Sequence, residues 1–282
     1  MDASVRPCGG VFMTTLGFDE LLTTARGVAA ESVLVVTGAG ISLASGIPTF
    51  RGTDPGAVWA NEVTQKGTRA YFKLFPHESW KMYLQRLELA RKAKPNAAHA
   101  ALVDWERWQT GQGGGFTVVT QNVDSLHEQA GSQALVKVHG SLQLARCSAR
   151  GCELGPPTGT IPLETLDFSA FHASPSAETV PRCPSCRSRV RPHILWFDEY
   201  YSEHLGYEIE RVYDLARQGR LVVFIGTSFS VGVTESIRAF ALKRRTPMFS
   251  IDPSGVAPPQ GIQAVTGRAE ELLPELVRSL RG

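Results

Sequence analysis

Short apolar runs alternate along the chain with longer stretches whose apolar residues recur at helical spacing. The runs are rich in β-branched residues and bounded by turn residues, which is typical of strands buried on both faces. They lie at 32–38, 116–120, 135–140, 220–228 and 246–252. The helical stretches lie at 18–30, 97–108, 203–217, 235–244 and 269–280. This alternation predicts an α/β fold, with a Rossmann-type parallel sheet covered by helices on both faces.

Two stretches break the alternation, and we interpret them as insertions that build a smaller domain. Residues 52–95 carry a helical insertion, and residues 141–192 are rich in Cys, Pro, Ser and Arg. The large domain is then assembled from three parts, 1–51, 96–140 and 193–282. In a parallel sheet of this kind, ligands bind beyond the carboxyl ends of the strands. The residues that directly follow each predicted strand are therefore the place to look for chemistry.

Four of the five cysteines fall into two pairs with the spacing of a zinc ribbon. Cys147 and Cys152 are separated by four residues, and Cys183 and Cys186 by two. Each pair can place two thiolates on a tight turn, and two such turns supply a tetrahedral sulfur cage. Four sulfur ligands leave no open coordination position, so the predicted zinc ion is structural. Reduced cysteines without a metal are the alternative, and Cys8 is left over.

The composition excludes several classes of protein. The chain has 282 residues, of which 43% are hydrophobic, and its net charge of +2 is too balanced for a protein whose main partner is nucleic acid. Its first residues lack the unbroken apolar core of a secretory signal, and its longest apolar runs are much shorter than a membrane-spanning helix. Paired cysteines without an export signal indicate a reducing compartment. We therefore expect a cytoplasmic protein with neither a membrane partner nor a stable nucleic-acid partner.

A glycine-rich segment, TGAGIS at 37–42, follows the first predicted strand. Gly38 and Gly40 would let backbone N–H groups approach a pyrophosphate, so a dinucleotide is the first ligand to consider. A dehydrogenase fingerprint needs a further glycine where Leu43 stands, and an acidic residue about 20 positions later at the end of a second strand. The chain has neither feature. Hydride transfer therefore loses most of its support.

The glycine segment continues as LASGIPTFRG at 43–52, and the whole stretch resembles the signature of the sirtuin family. Further motifs similar to those of the family follow in the same order: TQNVD at 120–124, VHG at 138–140, the cysteine pairs, HILWFDE at 193–199, GTS at 226–228 and GRA at 267–269. The resemblance covers nearly the whole chain. It implies a Rossmann-type NAD-binding domain, a small zinc-bearing module and a protein-lysine deacylase that consumes NAD as a co-substrate. The implied products are nicotinamide, the free lysine and an acyl-ADP-ribose.

The resemblance also implies a cofactor site at the carboxyl edge of the sheet. The implied NAD-binding residues are Gly38, Ala39, Gly40, Ser42, Phe50, Arg51, Gln121, Asn122, Asp124, Gly226, Thr227, Ser228, Asp252 and Ala269. Asn122 is also implied as a catalytic residue, and Asp124 as the group that holds the nicotinamide carboxamide. The structural alternative for Asp124 is a cap on the next helix. The chain departs from the family at Asp252 and Ser254, where Asn and an acidic residue are usual, and Asp cannot donate a hydrogen bond as Asn does.

His139 is the candidate general base. It follows a predicted strand and precedes Gly140, which places its imidazole at the same edge of the sheet. A histidine with an ordinary pKa of about 6.5 can take a proton from a ribose hydroxyl at neutral pH. That hydroxyl would then attack the intermediate formed by the acyl oxygen of the substrate lysine. A purely structural histidine is the alternative.

A predicted amphipathic helix at 77–92 carries a Tyr-x-x-Arg pair. Tyr83 and Arg86 share one face of this helix, and together they could bind a carboxylate. The pair is similar to the one that marks sirtuins acting on succinyl and malonyl lysine. It favours an acidic acyl group without excluding acetyl, and a core tyrosine beside a solvated arginine is the alternative.

The segment HILWFDE resembles the one to which sirtuin substrates add a strand of their own. The implied substrate-binding residues are Leu195, Trp196, Phe197 and Glu199. Acylated-lysine proteins are then the expected partners besides NAD. Asp198 stands where the family usually has glycine, which indicates an altered turn or repulsion of acidic peptides. Two other functions stay open: a mono-ADP-ribosyltransferase or NAD hydrolase, and an NAD-sensing, zinc-bearing binding module without turnover.

Overall fold

The computed structural model describes residues 17–49 and 64–282. The strands are β1 (Ser32–Thr37), β2 (Gly115–Thr120), β3 (Leu135–Lys137), β4 (Gly140–Cys147), β5 (Ile161–Pro162), β6 (Val190–Ile194), β7 (Leu221–Ile225), β8 (Met248–Asp252) and β9 (Gln263–Thr266). The α-helices are α1 (Phe18–Gly27), α2 (Arg69–Leu74), α3 (Pro76–Lys92), α4 (Ala97–Gly111), α5 (Leu126–Ala130), α6 (Ser169–Ala173), α7 (Ile209–Gln218), α8 (Gly232–Arg244) and α9 (Ala269–Arg281). Within these ranges no helix is both long and apolar enough to cross a bilayer.

The larger sheet has six parallel strands in the order β3-β2-β1-β7-β8-β9. Counted within this sheet alone, the order is that of the Rossmann fold. The chain moves outward in one direction from β1 and in the other direction from β7, so the switch point lies between these two strands. The predicted Rossmann-type sheet is confirmed, and its switch point is the position where such folds bind ligands.

Both faces of this sheet are buried, as the apolar runs predict. Val33 and Val35 of β1 pack into a core with α1, α4 and α9. Leu34 and Val36, which point to the other face, pack into a second core with α7 and α8. Because every residue of a central strand is covered, the strand is continuously apolar rather than alternating.

A second, antiparallel sheet of three strands has the order β5-β4-β6. Its core is shared with α2 and α3, and Trp80, Tyr83 and Leu87 of α3 are buried in it. The amphipathic helix predicted at 77–92 is therefore confirmed, and its apolar stripe covers the small sheet. The helical insertion and the cysteine-rich segment meet in this core.

Several elements of the structure differ from the predicted ones. Strands β4, β5, β6 and β9 and the short helices α5 and α6 were not predicted, and the helix predicted at 203–217 begins only at Ile209. Two short 3₁₀ turns, Tyr201–Glu203 and Leu205–Tyr207, occupy the first part of that range. Glu208 then adopts a left-handed conformation with φ of 50°, which an α-helix cannot continue through.

Candidate active site

The loops that follow β1 and β7 are in direct backbone contact at the switch point. The N–H of Gly38 donates to the carbonyl of Ile225 at 3.0 Å, and the N–H of Gly40 donates to that of Gly226 at 2.9 Å. A Cβ atom on Gly40 would lie 2.6 Å from the Cα of Gly226. This corrects the interpretation of the glycine segment, because both N–H groups bind protein carbonyls and are not available to a pyrophosphate. The glycines are needed so that two loops can touch.

The loop after β7 offers the free N–H donors instead. The backbone N–H groups of Thr227 and Ser228 have no acceptor among the described residues. Gly226 adopts a φ of +58°, and helix α8 starts only at Gly232. GTS is therefore a loop site rather than the start of a helix. Adjacent free N–H groups in a turn form a small anion-binding concavity, which fits a phosphate group.

Polar side chains after β2 join the two loops. Gln121 donates from Nε2 to the Thr227 hydroxyl at 3.1 Å. Asn122 is buried, and its Nδ2 donates to the carbonyl of Gly38 at 3.0 Å and to the Ser42 hydroxyl at 3.2 Å. The Ser42 hydroxyl in turn donates to Oδ2 of Asp124 at 3.1 Å. These side chains hold one another in place before any ligand binds.

Asp124 has contacts that bear on both roles that the sequence left open. Its Oδ1 accepts from the N–H of Leu126, the first residue of α5, at 3.0 Å, although Ser125 and not Asp124 occupies the N-cap position. Its Oδ2 accepts from Ser42 and faces the same polar cluster as Asn122. The carboxylate therefore binds an N–H at the start of α5 and also lines the candidate cavity.

The imidazole of His139 lies at this edge of the sheet. Its Nδ1 is 2.9 Å from the carbonyl oxygen of Gln121, and its Nε2 is 3.0 Å from the hydroxyl of Tyr201. Because a carbonyl can only accept, Nδ1 carries the proton and Nε2 presents a lone pair. This is the tautomer that a general base at Nε2 needs.

Burial keeps this imidazole neutral. Loss of solvent lowers the pKa of His139 to about 4, although the hydrogen bond to the Gln121 carbonyl acts in the opposite direction. At neutral pH the lone pair on Nε2 is therefore free of a proton. The tautomer is set by a backbone group, so it does not depend on a side chain that could rotate away.

A cavity extends from the glycine loop towards α3. Its lining includes Ala39, Ser42, Asn122, Asp124 and Arg86, with Ile47, Leu89 and Leu142 forming apolar parts of the wall. Burial lowers the pKa of Arg86, while Tyr83 and Asp124 act to raise it. Polar groups from the loops after β1 and β2 thus share one cavity with the guanidinium of Arg86 on α3. The free N–H pair and this polar cluster fit the phosphate and ribose parts of a dinucleotide.

Unlike Arg86, Tyr83 is not among the residues that line this cavity. It is only 6% exposed, and its hydroxyl accepts a hydrogen bond of 2.9 Å from the indole N–H of Trp196. Burial raises the pKa of Tyr83 to about 12, against the effect of Arg86 and Arg191. The phenol therefore stays protonated, and because Trp196 donates to its oxygen, its own hydrogen remains available for a further acceptor.

The segment at 195–199 is fixed beside His139 by backbone contacts. The N–H of Leu195 donates to the carbonyl of His139 at 3.0 Å, and the N–H of Phe197 donates to that of Gly67 at 3.0 Å. The side chain of Phe197 is 56% exposed, whereas Trp196 is buried. Asp198, where the family usually has glycine, accepts from the N–H groups of Arg69 and Ala70 at the start of α2. The unusual aspartate therefore anchors the turn to a neighbouring helix.

Glu199 requires a correction as a predicted substrate contact. Its side chain is fully buried and pairs with Arg69, Arg146 and Arg191. Burial acts to raise its pKa, but the arginines, Arg191 above all, outweigh this and hold it at about 2. A side chain with no exposed surface cannot contact a substrate. The carboxylate instead fixes the segment at 195–199 through its buried ion pairs with the arginines.

Two further predicted residues lie at neighbouring strand ends. Asp252 ends β8, and its Oδ1 accepts from the N–H of Ser254 at 2.8 Å. Ala269 is buried at the first position of α9, and the N–H of Gly267 donates to the Asp252 carbonyl at 3.2 Å. Both sit beyond carboxyl ends of the sheet but outside the cavity that contains Asn122 and Arg86. Phe50 and Arg51, like Cys8, lie outside the described residues.

The four paired cysteines converge. The Sγ atoms of Cys147, Cys152, Cys183 and Cys186 all lie within 4.8 Å of one another. Hydrogen bonds from Ser188 lower the pKa of the Cys186 thiol to about 6, which favours a thiolate, whereas burial raises the pKa of the Cys147 thiol. With Zn–S bonds of about 2.3 Å, tetrahedral sulfurs stand about 3.8 Å apart. The cluster therefore fits one tetrahedral zinc ion with four sulfur ligands.

Sequence reasoning missed Tyr201, Arg146 and Arg191. Tyr201 contacts His139, while the two arginines hold Glu199. The DEYYSE stretch gives no motif signal for such contacts, because they join residues from separate elements. A fully buried pair of arginines is a feature that only the folded chain reveals.

Comparison with known proteins agrees with this geometry. The Sir2 family matches residues 38–233 of the chain. The chain is 34% identical over 262 residues to the NAD-dependent deacetylase sir2E of Dictyostelium discoideum, covering 90% of this chain and 75% of that protein. It is 37% identical over 225 residues to an NAD-dependent protein deacylase of Thermus thermophilus, covering 79% of this chain and 80% of that protein.

Solved structures show the same similarity in three dimensions. A Sir2 homologue in complex with NAD superposes with a TM-score of 0.75 at 31% identity, covering 93% of each chain. A mutant Sir2 homologue in complex with ADP-ribose gives a TM-score of 0.76 at 30% identity, covering 93% of this chain and 96% of that one. The fold and site thus define a Rossmann-type protein with a second, cysteine-bearing module. The chain belongs to the Sir2 family, which confirms the sirtuin resemblance.

Proposed function

We propose that this protein removes acyl groups from lysine side chains of other proteins and consumes NAD in the reaction. Its family membership and the deacylase names of its relatives support this function. The products are nicotinamide, the free lysine and an acyl-ADP-ribose. The observation that carries the proposal is the imidazole of His139, held in the base tautomer beside the polar cluster at the switch point.

The chain's own residues prepare this reaction. When bound, NAD supplies an electrophilic ribose carbon as its bond to nicotinamide weakens. The free N–H groups of Thr227 and Ser228 bind phosphate, while Asn122 and Asp124 line the pocket for the ribose and nicotinamide. His139 takes the proton from a ribose hydroxyl at Nε2, and the Gln121 carbonyl stabilises the imidazolium through Nδ1–H. Because these contacts are already formed, they position the reacting groups, and this positioning supplies much of the rate enhancement of the reaction.

The preferred acyl group is acidic, such as succinyl or malonyl, with acetyl also accepted. Arg86 lines the same cavity as Asn122 and Asp124, so an acyl chain entering there meets a guanidinium. Arginine binds a carboxylate through two parallel hydrogen bonds, which a plain acetyl group cannot use. Tyr83 lies one helical turn away with its hydroxyl hydrogen still available, because its oxygen accepts from Trp196. Bacterial relatives named protein deacylases support a range of acyl groups.

Replacement of Arg86 tests this preference. Arg86→Met keeps the helix and much of the side-chain volume but removes the carboxylate donor. We expect kcat/KM on a succinyl peptide to fall about 10- to 100-fold, the range of one lost charge-assisted hydrogen-bonding group. The loss on a matched acetyl peptide should be much smaller. Arg91→Met, at an exposed position of the same helix, serves as control, and equal losses on both peptides with Arg86→Met would refute the acidic preference.

The four cysteines are proposed to hold one structural zinc ion. Cys147 ends β4, and Cys183 and Cys186 lie on the turn that leads into β6, so the metal would join strands of the small sheet. We further propose that the protein works in the cytoplasm, where such thiols stay reduced. Acylated-lysine proteins are its proposed partners.

A further inference from the structure

His139 has a contact that the family motifs do not predict. Tyr201 lies in the short 3₁₀ turn Tyr201–Glu203, and its hydroxyl is 3.0 Å from Nε2 of His139. The two rings stack with centroids 5.8 Å apart and an angle of 24° between their planes. The phenol therefore covers the nitrogen that the proposed reaction uses.

The direction of this hydrogen bond follows from the protonation states. Nδ1 of His139 carries its proton because it faces the Gln121 carbonyl, so Nε2 can only accept. Burial raises the pKa of Tyr201 to about 12, against the N–H of Val233, so the hydroxyl keeps its proton at neutral pH. The Tyr201 hydroxyl is therefore the donor, and it uses the one lone pair of the base.

A general base must lie within about 2.6–3.2 Å of the hydroxyl whose proton it takes. Two hydroxyl groups cannot donate to the same imidazole lone pair at once. We propose that Tyr201 caps His139 in the free enzyme, and that bound substrate displaces the phenol before the ribose hydroxyl reaches Nε2. This inference rests on the proposed deacylation. Tyr201 is then a positioning residue that sets how readily substrate engages the base.

The surroundings of Tyr201 favour a rotation of the side chain over a movement of the turn. Arg69 pairs with Glu203 within the turn, and its backbone N–H binds Asp198 just before it. The side chains of Asp198 and Glu203 thus tie the segment around Tyr201 to Arg69 at the start of α2. Leu195, which bonds to the backbone of His139, begins the segment proposed to pair with substrate. An incoming acyl-lysine therefore arrives beside the phenol.

Kinetics of Tyr201→Phe test the displacement. The variant keeps the ring and removes only the hydroxyl that competes for Nε2. We expect KM for the acyl peptide to fall about fivefold, the factor that corresponds to one neutral hydrogen bond, with kcat changed less than twofold. Tyr200→Phe, whose side chain is 76% exposed, is the matched control and should change neither constant. A fall in kcat at constant KM, or no change in either constant, would overturn the proposal.

A second readout does not depend on deacylation. Nitrogen NMR of the imidazoles, with the His139 signal assigned by its loss in His139→Asn, reports the bond to Nε2 directly. In the free protein the His139 signal should differ between wild type and Tyr201→Phe. An acetyl-lysine peptide added together with ADP-ribose should remove that difference. Identical signals in the free proteins, or a difference that persists with both ligands, would overturn the capping role. A wild-type enzyme that fails to deacylate would instead count against the proposed function alone.

Discussion

The glycines in the loop after β1 lie where the sequence predicts a ligand site, but they are needed there for a contact between two loops and not for a contact with a ligand. Gly38 and Gly40 lie at the carboxyl edge of the sheet, as the sequence predicts, but their N–H groups bond to carbonyls at the end of β7 and in the loop after it. A glycine motif indicates that a side chain must be absent at these positions. It does not indicate whether the space beside the glycine is filled by a ligand or by a backbone segment more than 180 residues away in the chain.

Substitution of Gly40 should therefore affect stability as well as activity. A Cβ at this position would lie 2.6 Å from a backbone atom of Gly226, which cannot move aside cheaply. We expect Gly40→Ala to destabilise the protein by about 1–3 kcal/mol, the usual cost of forcing an atom into a packed contact. Denaturant unfolding measures this. Gly111→Ala, in α4 with open space around the added atom, should be neutral or stabilising, and similar effects of both variants would contradict the account.

At the scale of single residues, motifs located His139, Asn122 and Arg86, and the structure brings all three to the same edge of the molecule. Tyr201 could not be found in this way, because nothing in its local sequence distinguishes it from Tyr200. Its contact depends on a turn that interrupts the helix predicted there. Long-range side-chain pairs are set by the packing of elements, which a single sequence does not show.

At the scale of elements, the central strands were predictable, whereas the strands of the small sheet and the edge strand β9 of the large sheet were not. Strand β7 is buried along its whole length and reads as a continuous apolar run. Strand β4 mixes buried and exposed positions and includes a buried arginine, while β9 has one buried residue. Such strands obtain much of their stability from packing against neighbouring elements. The spacing of hydrophobic residues along the chain does not show this packing.

The small sheet depends on one buried carboxylate. Glu199 pairs with the buried Arg146 and Arg191, and removal of its charge would leave two guanidinium groups uncompensated. We expect Glu199→Gln to lower stability by about 3–5 kcal/mol, as for other buried ion pairs that lose one partner. Thermal and denaturant unfolding would measure this loss of stability. Glu88→Gln removes an exposed partner of Lys92 and should change little; an equally small effect at Glu199 would show that the cluster is not needed.

At the scale of the whole molecule, buried histidines make the fold sensitive to acid. His99 and His127 pack edge to face against each other in the large domain, and burial lowers their pKa values to about 4 and 3. Between about pH 6.5 and 3, the unfolded chain therefore binds protons that the folded chain does not. Their contribution to stability is complete above about pH 6.5 and is lost as the pH falls through this window.

Thermal unfolding measured from pH 8 to pH 4 checks this dependence. The midpoint temperature of unfolding should decrease as the pH is lowered below about 6.5. In His99→Gln this decrease should be shallower than in the wild type, because one histidine with a lowered pKa has been removed. His172→Gln, at an exposed position of α6, is the control and should follow the wild type. A slope in His99→Gln as steep as that of the wild type would contradict the assignment.

The parallel sheet covered by helices, and a ligand site beyond the carboxyl ends of its strands, followed from the alternation of strands and helices, whereas the strand order did not. The two insertions meet in one core, in line with their interpretation as parts of a smaller domain, but the side chains that this contact brings to the cavity could not be predicted. That core places Arg86 at the cavity and Glu199 behind the segment beside His139. The site therefore depends on the large sheet together with α3 and the small sheet.

The stoichiometry of the products is the sharpest test of NAD-dependent deacylation with His139 as the base. The protein is incubated with NAD and a succinyl or acetyl peptide, and nicotinamide and deacylated peptide are measured by mass spectrometry. We expect equal amounts of the two, accompanied by acyl-ADP-ribose, and none of these products above background with His139→Asn. Nicotinamide released without free lysine, ADP-ribose left on protein, or undiminished turnover in His139→Asn would contradict it.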